Sequence, residues 1–168
     1  LNKNYEYVIN WLKERNILIP RFDLSPYDGK LKIQGQANFA PKNGMPSPAY
    51  NIDIKTVNID LEKMTKDTGL KDKNIRGTLS LNTALNGLGT DANNLNGTGW
   101  ILISNGHLWE FPLLGKIAET IHMPGLTKIE IQESKGNFTI MNRKIATENL
   151  QFFSPQMNML AKGNLGFD

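Results

Sequence analysis

Cysteine is absent from the 168 residues, so disulfides and thiolate metal sites are excluded. Long apolar runs are missing as well: none approaches the roughly 18 residues that a membrane-crossing helix needs. Histidine occurs only at His107 and His122, with no His-x-His spacing and no acidic triplet beside either, so no metal site is expected. Neither sign of charge dominates, with 19 basic residues against 16 acidic ones. The two signs also intermingle, as at Glu62-Lys63, Lys66-Asp67 and Lys71-Asp72-Lys73, whereas a nucleic-acid binder concentrates its basic residues on one face. Asn86-Gly87-Leu88-Gly89 lacks the third glycine and the Lys-Ser/Thr ending of a phosphate loop. Glu130, Glu133 and Glu148 read as outward-facing strand residues, with no paired carboxylates for acid-base work. No catalytic residue, cofactor or nucleic-acid partner is therefore expected, and the chain does not read as an enzyme.

What is present is alternation. After an N-terminal helix expected over residues 1–16, with Tyr5, Val8, Ile9 and Leu12 at helical spacing, the period changes to two. Ile17, Ile19, Phe22 and Leu24 lead to a Pro26-Tyr27-Asp28-Gly29 turn, and Leu31, Ile33, Ala37 and Phe39 then alternate with polar residues. Tyr50, Ile52 and Ile54 pass to Val57, Ile59 and Leu61 after a one-residue slip near Thr56, which predicts a bulge. Asp60 predicts the cap of a short helix bearing Leu61 and Met64 and closed by Gly69.

Ile75, Leu79, Leu81 and Leu85 form the next strand. Leu95 to Ile103 follow, with Gly97 and Gly99 as bend glycines, an Asn105-Gly106 turn, and a helix over 111–122 opened by Pro112. Ile129 with Ile131, Phe138 with Ile140, and Leu150 with Phe152 predict further strands, with turns at Lys135-Gly136 and Asn142 to Lys144. Met157, Met159, Ala161, Gly163, Leu165 and Phe167 line one face of the last strand. The expected fold is one mainly β domain over 1–168: a curved antiparallel meander of about eight or nine strands, as a half-pipe or a partly open barrel or sandwich, with short helices near 60–68 and 111–122. The chain opens on Leu1 and is expected to be a piece of a longer protein.

Several stretches carry a resemblance to a known family. They are Tyr27-Asp28-Gly29, Tyr50-Asn51-Ile52-Asp53-Ile54 running to Met64, Ile75-Arg76-Gly77-Thr78-Leu79 running to Asn86-Gly87, and above all Leu95-Asn96-Gly97-Thr98-Gly99 continuing through Asn105-Gly106-His107-Leu108 to Phe111-Pro112-Leu113-Leu114. Gly136-Asn137-Phe138-Thr139-Ile140, Asn149-Leu150-Gln151-Phe152 and Met159 to Leu165 follow in order. From about Ser25 to the end the chain resembles the C-terminal region of the AsmA family of bacterial envelope proteins. The resemblance implies an apolar half-pipe on the periplasmic side of the envelope. It also implies a parent anchored in the inner membrane, and a part in phospholipid transport between membranes or in outer-membrane assembly. The implied partners are a phospholipid or other acyl-chain ligand, neighbouring repeats of the parent chain and envelope proteins, with membrane contact through other parts of the parent.

On this reading the site is a lining rather than a set of ligands: Leu31, Ile33, Phe39, Ile52, Ile54, Leu79, Leu81, Ile101, Ile103, Phe138, Ile140, Leu150, Phe152, Met157 and Met159. Phe111, Leu114, Ala118 and Ile121 are expected to lay the second helix over one end of it. The alternative is a structural or interaction domain in which the same residues close into a core and exposed sheet edges pair with neighbouring repeats or partner proteins.

Overall fold

The computed structural model describes residues 16–39, 48–68, 75–107, 131–155 and 158–166. The expected helices over 1–16 and 111–122, and the positions Gly69, Ile129, Met157 and Phe167, lie outside the described residues. Among the described residues, eight strands form one antiparallel sheet in the order of the chain: β1 (Asn16–Leu24), β2 (Lys30–Asn38), β3 (Ala49–Asp60), β4 (Arg76–Leu88), β5 (Asn96–His107), β6 (Glu133–Met141), β7 (Lys144–Phe153) and β8 (Asn158–Gly166). Each strand pairs only with its neighbours in sequence, and the curved meander does not close into a barrel.

Alternation and register together decide the two faces. Ile33 pairs with Ile54, Ile52 with Leu85, Leu81 with Ile101, and Leu79 with Ile103. Phe138 lies opposite Gly99, Ile140 opposite Ile145, and Phe152 opposite Met159. Directly opposed residues share a face, so the apolar sets of all eight strands fall on one side. Most of the other side is wet: Gln36, Asn51, Asn86 and Asn96 form one row across four strands.

Bulges keep this side assignment where the spacing slips. In β3 two residues, Val57 and Asn58, stand between the pairs Thr56–Leu81 and Ile59–Leu79, and Asn58 takes φ 53°. The bulge expected near Thr56 is therefore there, but Val57 falls on the wet side of it and is 36% exposed. Similar insertions interrupt β1 at Pro20-Arg21 and β7 at Glu148-Asn149. The Asn105-Gly106 pair, expected as a turn, is likewise a bulge inside β5: Asn105 has φ 51°, Gly77 opposite has φ 119°, and the strand continues to His107. These four bulges fall at or beyond the middle of an odd-numbered strand, where the added twist helps coil the sheet.

Two other expectations are corrected. Lys135-Gly136 lies inside β6, because Gly136 is small enough to let the backbone of Leu150 approach; a Cβ there would stand 2.8 Å from the Leu150 Cα. Gly97 and Gly99 stay in regular register and make room for side chains across the sheet: added Cβ atoms would meet Leu85 Cδ2 and Phe138 Cζ, each at 2.6 Å. The tight turn expected around Asn142 is present, with Asn142 at φ 52° and Arg143 at φ 57°, the pairing of positive angles that suits a two-residue hairpin.

Helix α1 (Leu61–Lys66) starts where Asp60 accepts a hydrogen bond from the Lys63 backbone N–H at 3.0 Å, as its sequence predicts. It ends at Asp67. Leu61 and Thr65 are its buried residues, and Leu61 joins Ile75, Ile131 and Phe152 in the core cluster. Ile131, expected in a strand, precedes β6 and serves instead as a buried plug residue.

Gly99→Ala is expected to lower stability by about 1–3 kcal/mol in urea unfolding, because the new methyl overpacks Phe138 and the Asn82 carbonyl. Thr98→Ala, one residue away on the exposed side, is expected to stay within about 0.5 kcal/mol of the parent.

Candidate functional site: an apolar trough plugged at one end

The sheet brings the expected lining residues that lie in described strands onto one face, from Leu31 and Ile33 on β2 to Met159 on β8, while Phe39 falls just past the end of β2. Met157 and the expected capping residues Phe111, Leu114, Ala118 and Ile121 lie outside the described residues. Register adds members that the expected lining did not include, although all but Ile145 stood in the alternating sets of their strands. Tyr50 and Leu85 share the face, as do Phe22 and Leu24 at one edge and Ile145 and Leu165 at the other. The apolar spacing of each strand carried the signal, but the pairing partners did not show until the strands were aligned.

Burial divides this face in two. At the end beside α1, Leu61, Ile75, Ile131 and Phe152 pack together, with Met64, Leu79, Ile103, Leu150, Met159 and Ala161 against them. Ile75 is 1% exposed and Phe152 is 6% exposed. Away from that plug, Leu31, Ile33, Phe39, Ile52, Ile54, Leu81, Ile101, Phe138 and Ile140 are all half-buried. Inward-facing residues at the middle of a sheet in a sealed sandwich are the ones that lose contact with water most completely. Here most apolar side chains of the middle strands keep part of that contact, with Thr83 on β4 the exception, so away from the plug the face is only partly sealed.

Two hydroxyls interrupt the lining. Thr83, 6% exposed, donates to the Thr98 carbonyl at 3.1 Å. Thr56 Oγ1 is buried with no hydrogen-bond partner among the described residues.

Charges gather at the plugged end, outside the trough. Lys63 pairs with Asp28, Lys66 with Glu62 at 3.0 Å, Arg76 with Glu62 at 3.9 Å, and Lys135 with Glu133 at 2.9 Å. The carboxylates read from the sequence as outward-facing behave as surface groups: Glu133 holds Lys135, and Glu148 holds Lys162. The opposite end carries amides, with a hollow of about 390 Å³ walled by Tyr50, Asn51, Asn86, Asn94, Asn96 and Asn142. His107 ends β5, paired through its backbone with Arg76, and His122 lies outside the described residues. Among the described residues no group of three or more His, Cys, Asp or Glu is placed to hold a metal ion.

No family model, curated protein or solved structure matches the chain.

Phe152→Ala is expected to cost about 3–5 kcal/mol, as for truncation of an aromatic in a closed core, whereas Ile33→Ala in the open trough is expected to cost under about 2 kcal/mol. Urea unfolding of the two variants measures the contrast. At the amide-lined end, the backbone N–H of Asn93, followed by its side-chain amide, holds the Asp91 carboxyl below its ordinary value of 3.8. The stabilisation from this cap is present above pH 3.8 and is lost as pH falls through the lower folded-state value. An NMR titration of the Asp91 carboxyl is expected to give a midpoint under 3.8, and Asn93→Gly is expected to move it upward.

Proposed function

We propose that this chain is a non-enzymatic module of the bacterial cell envelope whose trough shelters acyl chains, in phospholipid transport between membranes or in outer-membrane assembly. The carrying observation is the partial exposure of Ile33, Ile52, Ile54, Leu81, Ile101 and Phe138, side by side over five strands. An acyl chain laid there gains about 0.8 kcal/mol for each methylene withdrawn from water. Along β4 the run beyond the plug, from Leu81 to Leu85, is about 13 Å long at the usual strand rise. That is a little under half of a bilayer's hydrocarbon core of about 30 Å, so the trough shelters most of a leaflet-length chain.

The AsmA-like order of motifs from Tyr27 to Leu165 agrees with this reading, and carries with it a periplasmic location and a parent anchored in the inner membrane. Headgroups stay outside the apolar face, which is why a lining without specific polar ligands suffices.

A second reading, a structural or interaction domain that pairs by its edges, draws on the end strands. Leu18 and Leu160 are 71% and 67% exposed on the otherwise wet side, and Phe22 and Leu24 are 55% and 52% exposed on the trough side. Strands β1 and β8 run in opposite directions, so β1 of a neighbouring unit added beside β8 preserves the antiparallel meander.

Native mass spectrometry after incubation with bacterial phospholipid extract tests the first reading. The expected result is retained lipid in the parent chain. In Ile54→Asp and Phe138→Asp, retention drops while the far-ultraviolet circular dichroism stays unchanged. A parent chain that retains no lipid, together with variants that unfold, would favour the closed, edge-pairing domain.

A further inference from the structure

The wet face of the sheet carries one large aromatic at its centre. Trp100 on β5 is 37% exposed and lies between Asn82 on β4 and Asn137 on β6 in one cross-strand row. Beside it is a hollow of about 370 Å³ walled by Trp100, Leu102, Lys135, Asn137, Asn149 and Gln151. That volume falls within the usual range for small-ligand sites, at its lower end.

The β7 bulge shapes this hollow. Three residues of β6 stand between the pairs Lys135–Gln151 and Thr139–Ala146, against four of β7. Side chains take over the interrupted ladder: the Asn137 backbone N–H donates to Asn149 Oδ1 at 2.8 Å, and Thr147 Oγ1 donates to the Asn137 carbonyl at 2.7 Å. With its oxygen engaged, the exposed Asn149 keeps its NH₂ donors for a ligand. The side-chain amides of Asn137 and Gln151 make no hydrogen bond among the described residues. Lys135 is already engaged, by Glu133 at 2.9 Å and by the Phe153 ring at 4.8 Å.

The hollow thus offers an indole, an aliphatic neighbour and three carboxamides with open donors or acceptors, and no unpaired charge. We propose that it binds a neutral saccharide: a β-linked pyranose chain whose hydroxyls are equatorial. Such a ring has a flat face of axial C–H groups that stacks on an indole, and a rim of hydroxyls that both donate and accept, matching carboxamides. Lys135, the one cation among the residues that wall the hollow, is held by Glu133, which disfavours an anionic glycan or a phosphate, and the apolar area is too small and too ringed with amides for a protein partner. The site lies on the opposite side of the sheet from the trough, so it stands independently of the lipid reading.

The test is an NMR titration of the whole chain with glucose, cellotetraose and the tetramer of N-acetylglucosamine. Saturable shifts are expected at the Trp100 indole N–H and at the Asn137 and Gln151 side-chain amides, with the tetramers binding more tightly than the monosaccharide. Trp100→Ala, on the exposed side and so compatible with folding, is expected to weaken binding at least about tenfold, the scale of a central aromatic anchor, and Trp100→Phe to restore part of it. Lipid retention by Trp100→Ala should match the parent. Absence of saturable shifts at millimolar saccharide, equal binding by Trp100→Ala, or an equal response to hexanediol would overturn the proposal, the last marking an apolar patch alone.

Discussion

In-register pairing of strands with period-two alternation is the constraint on which the rest of this molecule depends. A shift of one residue in any strand would turn its apolar set to the wet side. The chain has such shifts, and the bulges at Pro20-Arg21, Val57-Asn58, Asn105-Gly106 and Glu148-Asn149 absorb them. Beyond the β3 bulge Ile59 returns to the apolar side, and beyond the β7 bulge Leu150 and Phe152 do the same. The irregularities are therefore what make the apolar face continuous. They also add twist, which a sheet of eight strands needs if its face is to become concave.

A continuous face still has to be covered or left open. The short helix α1, with Ile75 and Ile131 from the segments leading into β4 and β6, covers one end, where Ile75 is 1% exposed. Over the rest, the lining from Ile33 to Ile140 keeps contact with solvent. Stability is accordingly uneven along the strands: dense packing near α1, and half-exposed side chains on hydrogen-bonded backbone farther away. A sheet built in this way holds its shape through its ladder and its plug, which leaves the remaining apolar surface available to an acyl chain in the proposed role. The same ladder, on its other side, provides the flat row on which Trp100 stands between two asparagines.

Much of this was legible in the residues. Alternation along β2, β4 and the described part of β8 placed the apolar residues on one face, and so did that along β3 except at Val57, which the bulge turns to the wet side; the slip near Thr56 announced that bulge, and Asp60 announced α1. The errors came from residues with two physical uses. Asn-Gly at 105–106 has the positive angle of a hairpin turn, and also that of a bulge within a strand. Lys135-Gly136 reads as a turn from composition, yet the glycine is there because Leu150 passes close by. Gly97 and Gly99 read as bends, although their role is to leave space for Leu85 and Phe138 on adjoining strands. In each case the deciding partner is distant in sequence.

The sequence by itself determined which side chains each strand presents to which side, because a strand's alternation is a local property of the backbone. It also pointed to antiparallel neighbours where the connection is short, as from β1 to β2, β4 to β5, β6 to β7 and β7 to β8. Tertiary structure alone decided how far the apolar face is sealed. That depends on whether the end strands meet, on what packs across the middle strands, and on where α1, Ile75 and Ile131 come to rest. Tertiary structure also set Trp100 against Asn137, Asn149 and Gln151, because the hollow beside the indole exists only where β7 bulges away from β6.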